Sequence, residues 1–112
     1  MKRVTGVGGI FFKARDPKAL AEWYRTHLGF SVEDWGGVVF RWADDNPDGA
    51  GTTIWSPFPE ATEYFAPSQA SFMVNFRVAD LHALLAGLRD EGCDVQDKVE
   101  ESEFGKFGWV LD

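Results

Sequence analysis

The sequence has few of the residues that cross-link a chain or bind metals. Among its 112 residues are one cysteine, Cys93, and two histidines. A single cysteine excludes an internal disulfide and is too few for a zinc site made of thiolates. Cys93 follows a glycine at a predicted strand start, and we expect it to be a small buried hydrophobic residue.

Long apolar runs are also lacking. No segment approaches the length of a membrane-spanning helix, and the first residues, MKRVTGVGG, carry no sustained apolar stretch of the kind found in a secretory leader. We therefore expect a cytoplasmic protein with no membrane partner.

Basic residues are in the minority. The chain has 11 basic and 18 acidic residues and a formal net charge of −7, which argues against nucleic acid as a partner. This charge favours a neutral or cationic ligand, although an acidic surface also serves solubility. Hydrophobic residues make up 45% of the chain and aromatic residues 15%, enough for one core in a single domain.

The segment Ser71–Gly92 is the clearest structural unit in the sequence. Its first part, SFMVNFRV, predicts a strand, and Asp80 is suited to cap the helix that follows. The apolar stripe of that helix consists of four leucines at helical spacing: Leu81, Leu84, Leu85 and Leu88. Gly92 is suited to the position just past the helix end.

A similar unit occurs earlier in the chain. The segment GGIFFKARDPKALAEWYRTHLG places Asp16 where the later unit has Asp80, and an aromatic and a basic residue precede both aspartates at matching positions. Pro17 suits the first helical position and Gly29 the helix end. The predicted apolar stripe of this helix comprises Leu20, Trp23, Tyr24 and Leu28. The chain is therefore read as two repeated modules.

Further strands are predicted around both helices. They cover Arg3–Arg15, two runs flanking Gly36–Gly37 as a hairpin, Thr52–Ser56, Asp94–Val99 and Gly105–Leu111. The segment ADDNPDGAG predicts a loop. It begins like a calcium loop, with Asp44, Asn46 and Asp48, but the place of the closing glutamate is taken by Trp55, so we favour a turn.

These elements predict an α+β fold made of two modules, residues 1–57 and 70–112, joined by a connector at 58–69. Module one reads β-α-β-β-β. The connector contains Tyr64 and Phe65, which we expect to pack against the body. In module two the counterpart of Thr52–Ser56 would fall beyond Asp112, so we expect its last strand to be missing, in a chain that is either naturally short or trimmed.

This organisation resembles the vicinal oxygen chelate superfamily, which includes glyoxalase I, the bleomycin and fosfomycin resistance proteins and the extradiol dioxygenases. The resemblance covers nearly the whole chain and is carried by DPKALAEWYRTHLGF and VADLHALLAGLRDEGCDV. It implies two βαβββ modules whose mixed sheet curls around a pocket. Members usually continue past a segment like FGWVLD into a last strand that bears a glutamate, which agrees with the predicted strand shortage.

The resemblance also implies where a metal ion would be held. Metal-using members carry ligands on the first and last strands of each module, and the matching positions here are Gly9, Thr53 and Met73, with the fourth beyond the chain. Glycine has no side chain, and a hydroxyl or thioether is a poor ligand for these divalent ions. We therefore expect no metal, no other cofactor and no catalytic residue. His27 and His82 lie on predicted helices and are expected at the surface.

Strand alternation predicts which side chains face the pocket, if Gly9, Thr53 and Met73 mark that face. The candidate ligand-binding residues, including two tryptophans from the third strands, are Phe11, Lys13, Trp42, Trp55, Met73, Asn75, Arg77 and Trp109. Aromatic side chains with a few polar groups are typical of a small-molecule site. The alternative is that the aromatic residues form ordinary sheet core, with Lys13 and Arg77 near solvent at the strand ends.

Three functions are open at this point. The leading one is a metal-independent member of the superfamily that binds a small organic molecule, cationic or aromatic, as resistance-type members do. The second is a metal-dependent glyoxalase-like lyase or isomerase, or a dioxygenase relative, with ligands from the missing strand or a second subunit. The third is a structural or regulatory dimer. Because an unpaired sheet edge pairs readily with another chain, we expect a homodimer.

Overall fold

The computed structural model describes residues 3–44, 49–103 and 105–112. Its elements follow in the order β1 (Val4–Ala14), α1 (Pro17–Leu28), β2 (Val38–Arg41), a 3-10 turn (Trp42–Asp44), β3 (Thr52–Pro59), β4 (Phe72–Val78), α2 (Leu81–Asp90), β5 (Asp94–Ser102) and β6 (Gly105–Leu111). The predicted α+β class is confirmed. In the predicted loop ADDNPDGAG, which contains the calcium-like residues, positions 45–48 lie outside the described residues.

The strands form a mixed four-stranded sheet and a separate antiparallel pair. The sheet has the order β2-β3-β1-β4, with β3 parallel to β1 and antiparallel to β2, while β5 pairs with β6. The chain divides into two compact units. One is Val7–Phe76, and the other is Arg77–Asp112 together with the start of β1, up to Gly6.

Both helices begin as their local sequence predicts, and α1 also ends as predicted. The Asp16 carboxylate accepts a hydrogen bond from the Ala19 amide at 3.1 Å, and Asp80 does the same for Ala83 at 3.1 Å. Gly29 ends α1 in the left-handed region with φ of 72°, where glycine avoids the strain of a side chain. The predicted caps Asp16, Asp80 and Gly29 are therefore confirmed, whereas α2 has Glu91 as its C-cap and Gly92, with φ of 83°, follows one residue later.

The two predicted apolar stripes have different outcomes. In α2 the stripe is buried or half-buried, and Leu85 is 4% exposed. In α1 the buried residue is Ala21, whereas Trp23 and Leu28 are 52% and 59% exposed, so the predicted burial of these two residues is wrong. The inward face of α1 is centred on Ala21 and Tyr24, and spacing alone does not locate that centre.

The first strand of the predicted hairpin does not form. Residues 29–33 have no regular structure, and the strand that pairs with β3 begins at Val38. Phe30 packs between aromatic rings instead, with centroids 5.1 Å from Tyr24 and 5.1 Å from Trp55. Packing of this half-buried ring takes the place of strand pairing for the segment.

Three further predictions concern Cys93, the two histidines and membrane-spanning helices. Cys93 is exposed, so its predicted burial is wrong. His27 and His82 are exposed as predicted, and His82 Nε2 lies 3.0 Å from the Glu101 carboxylate. Within the described residues, neither helix has the length and apolar character needed to cross a membrane.

Candidate functional site

The register of β1 against β3 decides which side chains share a face of the sheet. Gly9 is aligned with Ile54, and Phe11 with Ser56. Aligned residues of neighbouring strands place their side chains on the same face, and that face alternates along each strand. Gly9, Phe11 and Lys13 therefore share one face, as predicted, and β3 contributes Ile54 and Ser56 to it.

Thr53 and Trp55 lie on the opposite face of the sheet. The Trp55 ring packs against α1 and the segment after it, with its centroid 4.8 Å from Tyr24 and 5.1 Å from Phe30. The predicted common face for Gly9, Thr53 and Trp55 is wrong, because the alignment of β3 differs by one residue from the one assumed, and a shift of one residue exchanges the faces.

An aromatic cluster covers the face that carries Phe11. The Phe58 ring lies 5.0 Å from Phe11 and stacks on Tyr64 at 5.2 Å, and Phe65 packs against Phe58 at 5.4 Å. Phe65 is 3% exposed, and the Lys13 ammonium lies 5.7 Å from its ring centroid. The predicted packing of Tyr64 and Phe65 is confirmed. Neither was among the candidate site residues, although adjacent aromatic residues in a proline-containing connector are a signal for such packing.

Gly9 has no room for a side chain. A Cβ atom placed there would lie 2.8 Å from the Ile54 carbonyl oxygen and 3.1 Å from Ile54 Cβ. These separations are shorter than normal van der Waals contacts, so a ligating side chain at Gly9 would require β1 and β3 to move apart.

The Thr53 hydroxyl makes hydrogen bonds with two of its neighbours. It accepts a hydrogen bond from Trp42 Nε1 at 2.8 Å and donates one to the Val7 carbonyl oxygen at 3.2 Å. A hydroxyl has one proton to donate, and here the Val7 carbonyl receives it. Trp42 is half-buried and is fixed to β3 by this bond. Its predicted role in ligand binding stays a prediction.

β4 alternates between a half-buried face and an exposed one. Met73 and Asn75 lie on the half-buried face. Asn75 Nδ2 is buried, and no described residue accepts a hydrogen bond from it. Buried amide donors in folded proteins are normally paired, so this one is a candidate contact for a bound molecule.

The remaining two candidates lie in the unit Arg77–Asp112. Arg77 is half-buried, and its carbonyl oxygen accepts a hydrogen bond from Thr5 Oγ1 at 3.2 Å. The Trp109 ring is covered by the Lys98 ammonium, 3.8 Å from the ring centroid, in a cation–π contact. The ligand-binding roles of Arg77 and Trp109 stay predictions.

Comparison with known proteins identifies one family. The family model for the glyoxalase-like domain matches residues 9–112. No curated protein matches the sequence.

Solved structures of methylmalonyl-CoA epimerases have a similar fold. A Streptomyces coelicolor epimerase variant in complex with 2-nitronate-propionyl-CoA is 20% identical with a TM-score of 0.70, covering 96% of this chain and 88% of the epimerase. The Mycobacterium tuberculosis epimerase is 18% identical with a TM-score of 0.59, covering 96% of this chain and 79% of the epimerase. At these identities the likeness is one of fold.

Proposed function

Since this chain belongs to the glyoxalase-like domain family, within the vicinal oxygen chelate superfamily, we propose that it binds a small organic molecule without a metal ion. The proposed contacts lie in the unit Val7–Phe76, at Phe11 and Lys13 on β1 and at Met73 and Asn75 on β4. The observation that carries the proposal is the close approach of Ile54 to Gly9, at the position where metal-using relatives carry a ligand.

The donor set near Gly9 does not fit a divalent ion. On the face of Gly9, β3 supplies Ile54, which has no donor atom, and Ser56, which has a neutral hydroxyl. Met73 offers a thioether, which is a soft and weak ligand. Zinc, nickel, manganese and iron sites are instead built from imidazole, carboxylate or thiolate groups. We therefore derive no chemical step through a metal.

The same residues suit an apolar ligand that carries one hydrogen-bond acceptor. Phe11 supplies an aromatic surface, and the buried Nδ2 atom of Asn75 supplies a donor. Small-molecule sites are typically apolar with a few polar groups that fix orientation. A ligand carbonyl oxygen would accept the proton of the Asn75 amide and remove the cost of leaving that donor buried and unpaired.

Acetophenone and ethylbenzene test this proposal as a matched pair, because they differ mainly in the acceptor oxygen. In two-dimensional NMR spectra, acetophenone should shift the Asn75 side-chain amide signals and bind more tightly than ethylbenzene. Asn75→Leu should abolish that preference by removing the donor, while Trp23→Leu, on the exposed side of α1, should retain it. Equal binding of the two probes to the unmodified protein would contradict the proposed role of Asn75.

Metal content tests the other half of the proposal. The protein purified without chelators should contain far less than one equivalent of zinc, nickel, manganese or iron. The alternative, a metal-dependent lyase, isomerase or dioxygenase relative, predicts a stoichiometric ion. Epimerisation of methylmalonyl-CoA that depends on an added divalent ion would also overturn metal independence.

We further propose that two copies pair through β4. This strand lies at the edge of the four-stranded sheet, and its outward face is apolar, with Phe72, Val74 and Phe76 exposed by 59%, 38% and 58%. Its one charged residue is Arg77, so antiparallel pairing centred on Val74 sets no like charges opposite each other. Such pairing would satisfy the edge hydrogen bonds and place the two apolar faces side by side on one wider sheet.

A further inference from the structure

A groove lies between the turn Glu33–Gly37 and the start of α1, within the unit Val7–Phe76. Its volume is about 390 Å³, and Trp35 forms one of its walls. The indole is 52% exposed, although it is held by a well-defined turn. An exposed tryptophan in a concave site of this size is a candidate surface for ligand binding.

Two consecutive glycines hold Trp35 in place. The Gly36 amide donates to the Glu33 carbonyl oxygen at 2.9 Å, and the Glu33 amide donates to the Gly37 carbonyl oxygen at 2.8 Å. Gly36 has φ of +97°, which favours glycine. A Cβ atom on Gly37 would lie 2.1 Å from Trp35 Cζ3, so the indole rests directly against the Gly37 backbone.

The rest of the groove is rigid and carries negative charge. Pro17, Pro57 and Pro59 line it and lose little conformational freedom when a ligand binds. Two acidic residues, Asp16 and Asp34, and one basic residue, Lys18, are among those that line it. One Asp16 oxygen is used by the Ala19 amide, so Asp34, next to Trp35 in the sequence, is the main source of attraction for a cation.

We propose that this groove binds an organic cation, whose ammonium group lies on the Trp35 indole and beside the Asp34 carboxylate. Aromatic faces attract organic ammonium groups, and rigid walls reduce the entropy lost on binding. Lys18 opposes the cation and lowers the affinity. The site involves none of Phe11, Lys13, Met73 and Asn75, so it does not depend on the function proposed above.

Benzyltrimethylammonium, with phenylacetate as its anionic counterpart, tests the proposal by NMR titration. The cation should shift the Trp35 indole signal and the Gly36 and Gly37 amides, and phenylacetate should not. Trp35→Leu should weaken binding of the cation by about three- to thirty-fold, the range of a cation–π contact. The matched control is Trp23→Leu, because Trp23 is also 52% exposed and lies outside the groove, and it should leave the affinity unchanged.

Two further variants test the charges. Asp34→Asn should weaken binding about two- to five-fold at low salt and less at high salt, because an exposed pair is screened. Lys18→Gln should strengthen it. Equal binding of phenylacetate, equal losses from the two tryptophan variants, or shifts centred on Phe11 and Asn75 would overturn the proposal.

Discussion

The Ile54 carbonyl oxygen lies too close to Gly9 for a side chain to be added there. The two residues are aligned in the parallel pair of β1 and β3, and a Cβ atom on Gly9 would approach that oxygen to 2.8 Å. One atom of this contact is a backbone oxygen and the other is a Cβ bonded directly to the backbone, so neither can move away by rotation of a side chain. This contact links the spacing of two central strands to the lack of room for a side chain at Gly9.

We predict that Gly9→Ala destabilises the protein by about 1–3 kcal/mol, the usual cost of overpacking. Denaturant unfolding measures the change. An unaltered midpoint would show that β1 and β3 separate freely, and would remove the steric argument for the metal independence proposed above.

Gly87→Ala is the matched control, and we expect it to raise the stability of the protein. Gly87 lies inside α2, and the nearest atom to an added Cβ would be Arg3 Nη2 at 3.3 Å, the end of a flexible side chain. Alanine is favoured over glycine in a helix by about 0.5–1 kcal/mol. The variant should therefore be more stable than the wild type in the same assay.

Trp55 is predicted to be a core residue by its position on the α1 side of the sheet. Trp55→Ala should cost about 3–5 kcal/mol, because it removes ring contacts with Phe12, Tyr24 and Phe30. Trp23→Ala should cost much less, since that ring is half exposed. Thermal unfolding of both variants measures the difference. A small effect of Trp55→Ala would restore the original interpretation of Trp55 as a ligand-facing residue.

The ion pair of Arg3 with Glu91 should make stability depend on pH. The two groups are 2.7 Å apart, and the hydrogen bond from Arg3, followed by its charge, lowers the pKa of Glu91. The unfolded state then binds a proton at higher pH than the folded state, so the contribution is present at neutral pH and is lost as the pH falls through the lowered pKa.

Glu91→Gln should therefore lower Tm slightly at neutral pH, and the difference should vanish in strong acid. The effect is small because both side chains are largely exposed. Arg3→Gln and the double variant complete a thermodynamic cycle that isolates the pair. A difference in Tm that persists at acid pH would contradict the assigned cause.

Pairing through β4 predicts a dimer at micromolar concentration in sedimentation. Phe72→Lys should shift it to monomer, because a lysine on an edge strand opposes pairing. Leu28→Lys is the matched control, since Leu28 is also 59% exposed but lies on α1, and it should leave the dimer intact. A monomeric wild type, or equal effects of the two variants, would exclude this interface.

The sequence alone predicted the features that depend on local chemistry. The caps at Asp16, Asp80 and Gly29 follow from backbone groups within a few residues, and all are confirmed. The faces of Thr53 and Trp55 could not be predicted in the same way. Alternation fixes which residues of one strand share a face. The register between β1 and β3 depends on contacts between two segments that are separated in the chain by α1 and β2, so local sequence patterns do not determine it.

The Trp35 groove was also missed by sequence reasoning. Gly36 and Gly37 predicted a turn, and a turn forms there. This turn positions the Trp35 indole and does not join two strands of a hairpin. The sequence does not show that Pro57 and Pro59 lie beside that turn, since they are some twenty residues further along the chain.

The parallel pairing of β1 with β3 has a consequence for how the protein folds. Because α1, β2 and the 3-10 turn separate the two strands along the chain, the centre of the sheet cannot form by local zipping. During synthesis β1 emerges from the ribosome well before its partner β3. The apolar side chains of β1 therefore stay unpaired until the chain has been made as far as Pro59, the end of β3. During that interval the unpaired β1 strand is exposed to aggregation.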